Sequence, residues 1–115
     1  MVFEERLPTQ IWVEALIRRA QLAGAAGFVV HAGDAARGDV VIKVADLSGG
    51  ARVYVPRTGM DGCRRFAALD AQGVGPDEAS ADDYFNRARQ RDADVWLVEI
   101  EDPQGRHFLT EPVEP

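Results

Sequence analysis

The stretch from residue 94 to residue 109 constrains the fold more than any other part of this sequence. Trp96, Val98 and Ile100 alternate with Leu97, Glu99 and Glu101, the two-residue period of a half-buried strand. Asp102-Pro103-Gln104-Gly105 follows. Proline fixes φ at about −65° and so forbids a two-residue type I′ turn. A type I turn with Gly105 in the left-handed position, a three-residue loop, is the expected solution. Residues 106–109 are then expected to return as the second strand of a hairpin, with Asp102 opposite Arg106, Glu101 opposite His107 and Ile100 opposite Phe108. Trp96, Val98, Ile100 and Phe108 would form an apolar face, and Glu99, Glu101 and His107 the other.

Two helices can be read upstream. Residues 9–23 place Trp12, Val13, Leu16, Ile17, Ala20 and Ala23 on a stripe roughly 140° wide, with Thr9 as the expected N-cap and Gly24 and Gly27 ending the helix. Residues 80–91 follow Ser80 as N-cap, with Asp83 completing a weak capping box, and bring Ala81, Tyr84, Phe85 and Ala88 to one face. Strands are expected at 27–31, 39–45 and 52–55, with a weaker one at 64–69. In the second of these Val40, Ile42 and Val44 point one way and Val41, Lys43 and Ala45 the other. The order α-β-β-β-(β)-α-β-β, joined by short connections, predicts an α+β fold: a mainly antiparallel sheet of five to six strands with both helices packed on one face.

The chain has 115 residues, enough for a single domain (1–115) with a real core and its ends (about 1–7 and 111–115) frayed. Hydrophobic residues make up 46%, which speaks against wholesale disorder. With 19 acidic against 13 basic residues the net charge is −6, which repels a phosphate backbone and makes nucleic acid an unfavoured partner. The single cysteine, Cys63, can form neither an internal disulfide nor a cysteine-rich zinc site. The N-terminus lacks the apolar run of a secretory signal, and no stretch approaches the roughly 20 apolar residues of a membrane helix. A reducing cytosol of bacterial type, with no membrane association, is the expected location.

Several groups of residues invite a functional reading, and each has a plainer one. His31, Asp34 and Asp39 flank a glycine turn and could handle a proton or a metal, but turn hydrogen bonding explains them more simply. Glu99, Glu101 and His107 could do acid–base work if a pocket covered them; otherwise Glu101 and His107 are a cross-strand charge pair on a solvated face. Cys63 beside Arg64 and Arg65 suggests an activated thiol, but no base is evident nearby, and a small buried or half-buried thiol is the expected state. Arg52, Tyr54, Arg57, Arg64 and Arg65 could form an anion or nucleic-acid patch with an aromatic platform, or a solvated sheet face. Phosphate-loop, dinucleotide, nucleophile-elbow and zinc-protease motifs do not occur, and neither a cofactor nor a metal is expected. The first helix carries a second, narrow stripe of Ile11, Ala15 and Leu22 with Arg18 between them. One core contact does not require it. It could meet another copy, another protein, or Phe3 and Leu7 of its own chain.

Gln10-Ile11-Trp12-Val13, Val41-Ile42-Lys43-Val44, the run Asp94-Val95-Trp96-Leu97-Val98-Glu99-Ile100-Glu101-Asp102 and Gly105-Arg106-His107-Phe108-Leu109 resemble a small bacterial domain family of unknown function, found chiefly in alphaproteobacteria. The likeness spans roughly residues 7–109 and is most specific in the last segment. It implies a stand-alone single-domain protein and brings no activity, cofactor or catalytic residue with it. The leading expectation is therefore a non-catalytic binding or assembly module that contacts a protein or a second copy of itself through Ile11, Ala15, Arg18 and Leu22. A small enzyme or ligand-binding domain using His31 or the Glu99, Glu101, His107 face is the alternative, and a nucleic-acid accessory domain using the arginine–tyrosine face the third reading.

Overall fold

Two strands whose positions are nearly all apolar occupy the middle of the molecule. In the computed structural model, which describes residues 7–114, β2 (Val40–Ala45) is buried at every position and β5 (Trp96–Glu101) at all but its two glutamates. Strands covered on both faces need apolar side chains on both, and these two have them. Around them lie α1 (Thr9–Leu22), β1 (Ala26–His31), β3 (Ala51–Thr58), β4 (Arg64–Ala68), α2 (Glu78–Arg91) and β6 (Val113–Glu114). The sheet order is β1-β5-β2-β3-β4-β6. Neighbours run antiparallel except β2 with β5 and β4 with β6. The α+β class and the mainly antiparallel six-stranded sheet are as expected.

The helices do not share a face. Trp12, Val13, Leu16 and Ala20 of α1 pack with Val40, Ile42, Val44, Tyr54, Phe66, Trp96, Val98 and Ile100. Ala81, Phe85 and Ala88 of α2 pack with Val41, Val53, Val95 and Leu97, the alternate positions of the same strands. The sheet is thus the middle layer of three, and the expectation of one covered face is corrected. The physical cause is the two-sided apolar character of β2 and β5, which would leave bare hydrocarbon under a single helical layer.

Local chemistry sets the ends of the elements. Thr9 is the first helical residue rather than the N-cap. Its hydroxyl donates to Gly38 O (2.9 Å), while the backbone N–H groups of Thr9 and Gln10 donate to Ala36 O and Ala35 O. The turn at 33–38 therefore satisfies the donors that a helix start leaves open. Asp77, not Ser80, caps α2: its carboxylate accepts from the Ser80 N–H (2.8 Å). Strand β3 is longer than expected and runs through Pro56. Its pairing with β2 ends at Tyr54, so proline sits where the strand has a single neighbour and a missing N–H is tolerated.

The turn after β5 forms as expected, with Gly105 at φ +68° and its N–H donating to Asp102 O (2.8 Å). The returning strand does not form. Both long edges of β5 are already occupied, by β1 and by β2, so residues 106–109 have no ladder to join. The buried Asp102 carboxylate instead accepts from the Arg106 backbone N–H (2.9 Å) and its guanidinium (2.8 and 3.1 Å), and turns the chain across the α1 face. Residues 111–114 are held against the rest of the fold. Trp12 Nε1 donates to Glu111 (2.6 Å), Phe66 N–H donates to Pro112 O, and β6 pairs with β4. No helix among the described residues is long and apolar enough to cross a membrane.

Candidate functional site

Most of the constellations suggested by the sequence are taken apart by the fold. His31 contacts Val95 O through Nδ1 (2.8 Å), and Asp34 accepts from the Arg37 N–H (2.8 Å), while Asp34 O accepts from Trp96 Nε1. These are the bonds of a structural turn that also seats α1. Among the described residues no cluster of histidine, cysteine or acidic side chains is arranged to hold a metal ion. Cys63 is exposed rather than buried or half-buried.

Glu99 and Glu101 lie on the α2 face, whereas His107 packs edge-on against Tyr54 on the α1 face, with 5.2 Å between ring centres. The three do not converge, because the expected hairpin that would have paired them is absent. Glu99 belongs to a different group. Lys43, buried in β2, reaches Glu78 (2.9 Å) and Asp82 (2.7 Å) on α2 and Glu99 (3.1 Å) on β5. Burial alone would push the Lys43 ammonium down, but its bonds to Asp82, Glu78 and Glu99 outweigh this and hold it above its ordinary value. Glu101, hydrogen-bonded to Glu99, keeps its proton to a higher pH than an ordinary glutamate. The group ties α2 to the sheet. A lone lysine in an apolar strand, with acids at i and i+4 of a later helix, was the signal for it.

The arginine patch is also divided. Arg52, Tyr54 and Arg64 fall on the α1 face and Arg57 and Arg65 on the other, since residues alternate along the β3–β4 pair. Tyr54 is buried and offers no platform. Arg64 lies over the rings of Trp12 (5.2 Å) and Phe66 (5.3 Å), Arg65 pairs with Asp61, and Arg52 with Asp70.

A hollow of about 820 Å³ lies where the 105–108 segment crosses the sheet, lined among others by Arg52, Tyr54, Ala68, His107, Phe108 and Val113. Phe108 holds a left-handed backbone (φ +61°), fixed by Arg19 Nε donating to its carbonyl (3.0 Å). Burial pushes the His107 imidazole down and favours its neutral form; the Leu109 N–H donates to its Nδ1, which places that form's proton on Nε2. The two arginines at the hollow are engaged by Asp70 and Asp102, so neither guanidinium stands unmatched to select a charged ligand.

The outer stripe of α1 is where the sequence places it. Ile11 (49% exposed), Arg18 and Leu22 (75%) face solvent, and Ala15 is half-buried. Leu7 is itself exposed, and Phe3 lies outside the described residues.

The apolar surface that sequence reasoning missed is β1. Among the described residues it is an edge strand, paired on one side only. Phe28, Val29 and Val30 are 49%, 44% and 50% exposed, and the strand Ala-Gly-Phe-Val-Val-His carries no acidic residue, lysine, arginine or proline. Helix α1 packs over its Gly27 side, where a Cβ would lie 3.1 Å from Ile17. Helix α2 packs over β3 and β2 and leaves Phe28 half exposed. In the sequence the run Phe28-Val29-Val30 reads as an ordinary core strand, and only the strand order shows that it lies at the rim.

Residues 7–110 match a family model described as a protein of unknown function, DUF1491. A crystal structure of a DUF1491 family protein from Caulobacter crescentus CB15 is similar at 47% identity and a TM-score of 0.89, covering 95% of this chain and all of the other. An NMR structure of a DUF1491 family protein from the same organism gives 46% identity and 0.84 over 97% of this chain and all of that one. The solution structure of protein Atu0922 from A. tumefaciens gives 28% and 0.77 over 96% and 98%. None of the curated proteins is similar to this chain.

Proposed function

The chain belongs to the DUF1491 family, and from that premise we propose that it is a non-catalytic binding and assembly module, acting in the cytosol, that engages protein through the open edge of β1. The observation that carries this reading is the coincidence of a sheet edge unpaired among the described residues with three consecutive exposed apolar side chains, Phe28, Val29 and Val30, on a strand without a guarding charge. An edge of this kind is a template for strand addition, in which main-chain hydrogen bonds supply affinity and alternate side chains supply specificity.

The α1 stripe is the lesser surface. Ile11 and Leu22 are eleven residues apart, about 16 Å along a helix axis, with the charged Arg18 between them, and a helix has no backbone groups left to pair. It serves as a flank rather than a centre.

The test is a photoreactive benzoylphenylalanine placed at position 28 in living cells. A protein adduct at 28, absent when the same group replaces the exposed Leu47, is expected. Irradiation that yields no protein adduct at 28 contradicts the reading.

A further inference from the structure

We infer that the occupant of the β1 edge is a second copy of this chain, paired antiparallel across a two-fold axis at Phe28. The inference rests on the reading above and deepens it.

The hydrogen bonds of β5 fix which groups of β1 are open. Trp96 N–H donates to Asp39 O (2.7 Å) and Asp102 N–H to Ala45 O (2.9 Å), both on the β2 side. The backbone groups of the even-numbered residues of β5 therefore point to β2, and those of Leu97, Glu99 and Glu101 point to β1. In the β1–β5 register, Ala26 faces Glu101 and Phe28 faces Glu99, so Ala26 and Phe28 spend their N–H and C=O groups on β5. Gly27 and Val29 turn theirs outward. The open edge thus offers donor and acceptor at two positions, placed symmetrically about Phe28.

That pattern is its own complement. With Phe28 on the axis, Gly27 pairs with Val29 of the second copy and Val29 with its Gly27, each pair exchanging two backbone hydrogen bonds. Phe28 then meets Phe28 at the non-hydrogen-bonded position, where Cα atoms approach to about 4.5 Å and side chains are in closest contact. The two rings cover each other on the face where Phe28 is half exposed. The paired strands themselves carry no acidic residue, lysine or arginine, so no like charges meet across them.

The register also favours a copy over a foreign extended peptide. The β1–β5 pairing slips between Val29 and His31, and such a bulge twists the strand away from a straight partner. The usable window is therefore short. A peptide would gain little beyond four backbone bonds, whereas a second copy brings its own α1 beside the first, since α1 packs over β1 in each.

The experiment uses the full chain with Cys63→Ser and either Phe28→Cys or Val30→Cys, together with sedimentation of the wild type from micromolar to millimolar concentration. A wild-type dimer, efficient disulfide cross-linking of Phe28→Cys and little of Val30→Cys are expected, because residue 28 alone meets itself at a distance a disulfide spans. A wild type that stays monomeric overturns the inference, and so does equal cross-linking of both variants. If a monomeric protein still gives a residue-28 photo-adduct with a different protein, the edge reading stands and the second copy is wrong; with no adduct, both fall.

Discussion

The two edges of the sheet are built in opposite ways. At one end β6 has only two residues, Val113 and Glu114, follows Pro112, and ends in an acidic side chain. A short strand with proline and charge offers little to a passing chain. It is also pinned from inside by Trp12, which stacks on Phe66 at 5.6 Å and donates to Glu111. At the other end β1 has six residues, no charged side chain of the kind that guards an edge, and three consecutive apolar side chains in solvent. The same sheet therefore closes one rim and leaves the other open, and a rim left open beside a closed one reads as a surface with a use.

The largest effect is expected from opening the closed rim. Trp12→Ala removes the ring that holds Phe66, Arg64 and Glu111 together; a loss of about 3–5 kcal/mol in denaturant unfolding is expected, with β4 left as a second bare edge and aggregation as its symptom. Next comes closing the open rim. Phe28→Glu is expected to weaken association by roughly 30-fold or more, as loss of a central interface aromatic does, while the thermal midpoint of the monomer stays close to wild type.

The link from β5 to the closed rim should respond to acid. Arg106 holds the Asp102 carboxyl down to about 2, below its ordinary 3.8. A carboxylate with a depressed folded pKa contributes stability that is complete above its unfolded value and is lost as pH falls toward the folded one. Thermal melts of the wild type should therefore lose this contribution between about pH 4 and pH 2, and Asp102→Asn should lack that part of the acid slope. The smallest effect is expected on α1. Ile11→Glu with Leu22→Glu should leave sedimentation nearly unchanged, because the stripe flanks the contact without making it.

The elements other than β6 were legible in the sequence, since period-two and helical stripes are local signals. So was the Asp102–Gly105 turn, where Pro103 and Gly105 restrict the backbone directly. What followed the turn was not legible. Whether residues 106–109 return as a strand depends on whether β5 has an edge to spare, and β1 and β2, distant in sequence, take both. The placement of the helices was half legible: the apolar run of β2 on both faces already called for two covering layers, and Lys43 marked where the second would bring acids. The β1 rim was hidden for the same reason as the missing hairpin. Phe28-Val29-Val30 carries the composition of a buried strand, and its exposure is a property of strand order. The constellation of Glu99, Glu101 and His107 dissolved with the hairpin that would have built it.

Amide hydrogen exchange along β1, followed as a function of protein concentration, tests the open edge most directly. The Ala26 and Phe28 amides should be protected at every concentration, because they bond to β5, while the Gly27 and Val29 amides should exchange quickly when dilute and slow together as the protein is concentrated. Gly27 and Val29 amides that exchange at one rate across the whole concentration range would contradict the pairing of two copies along this edge.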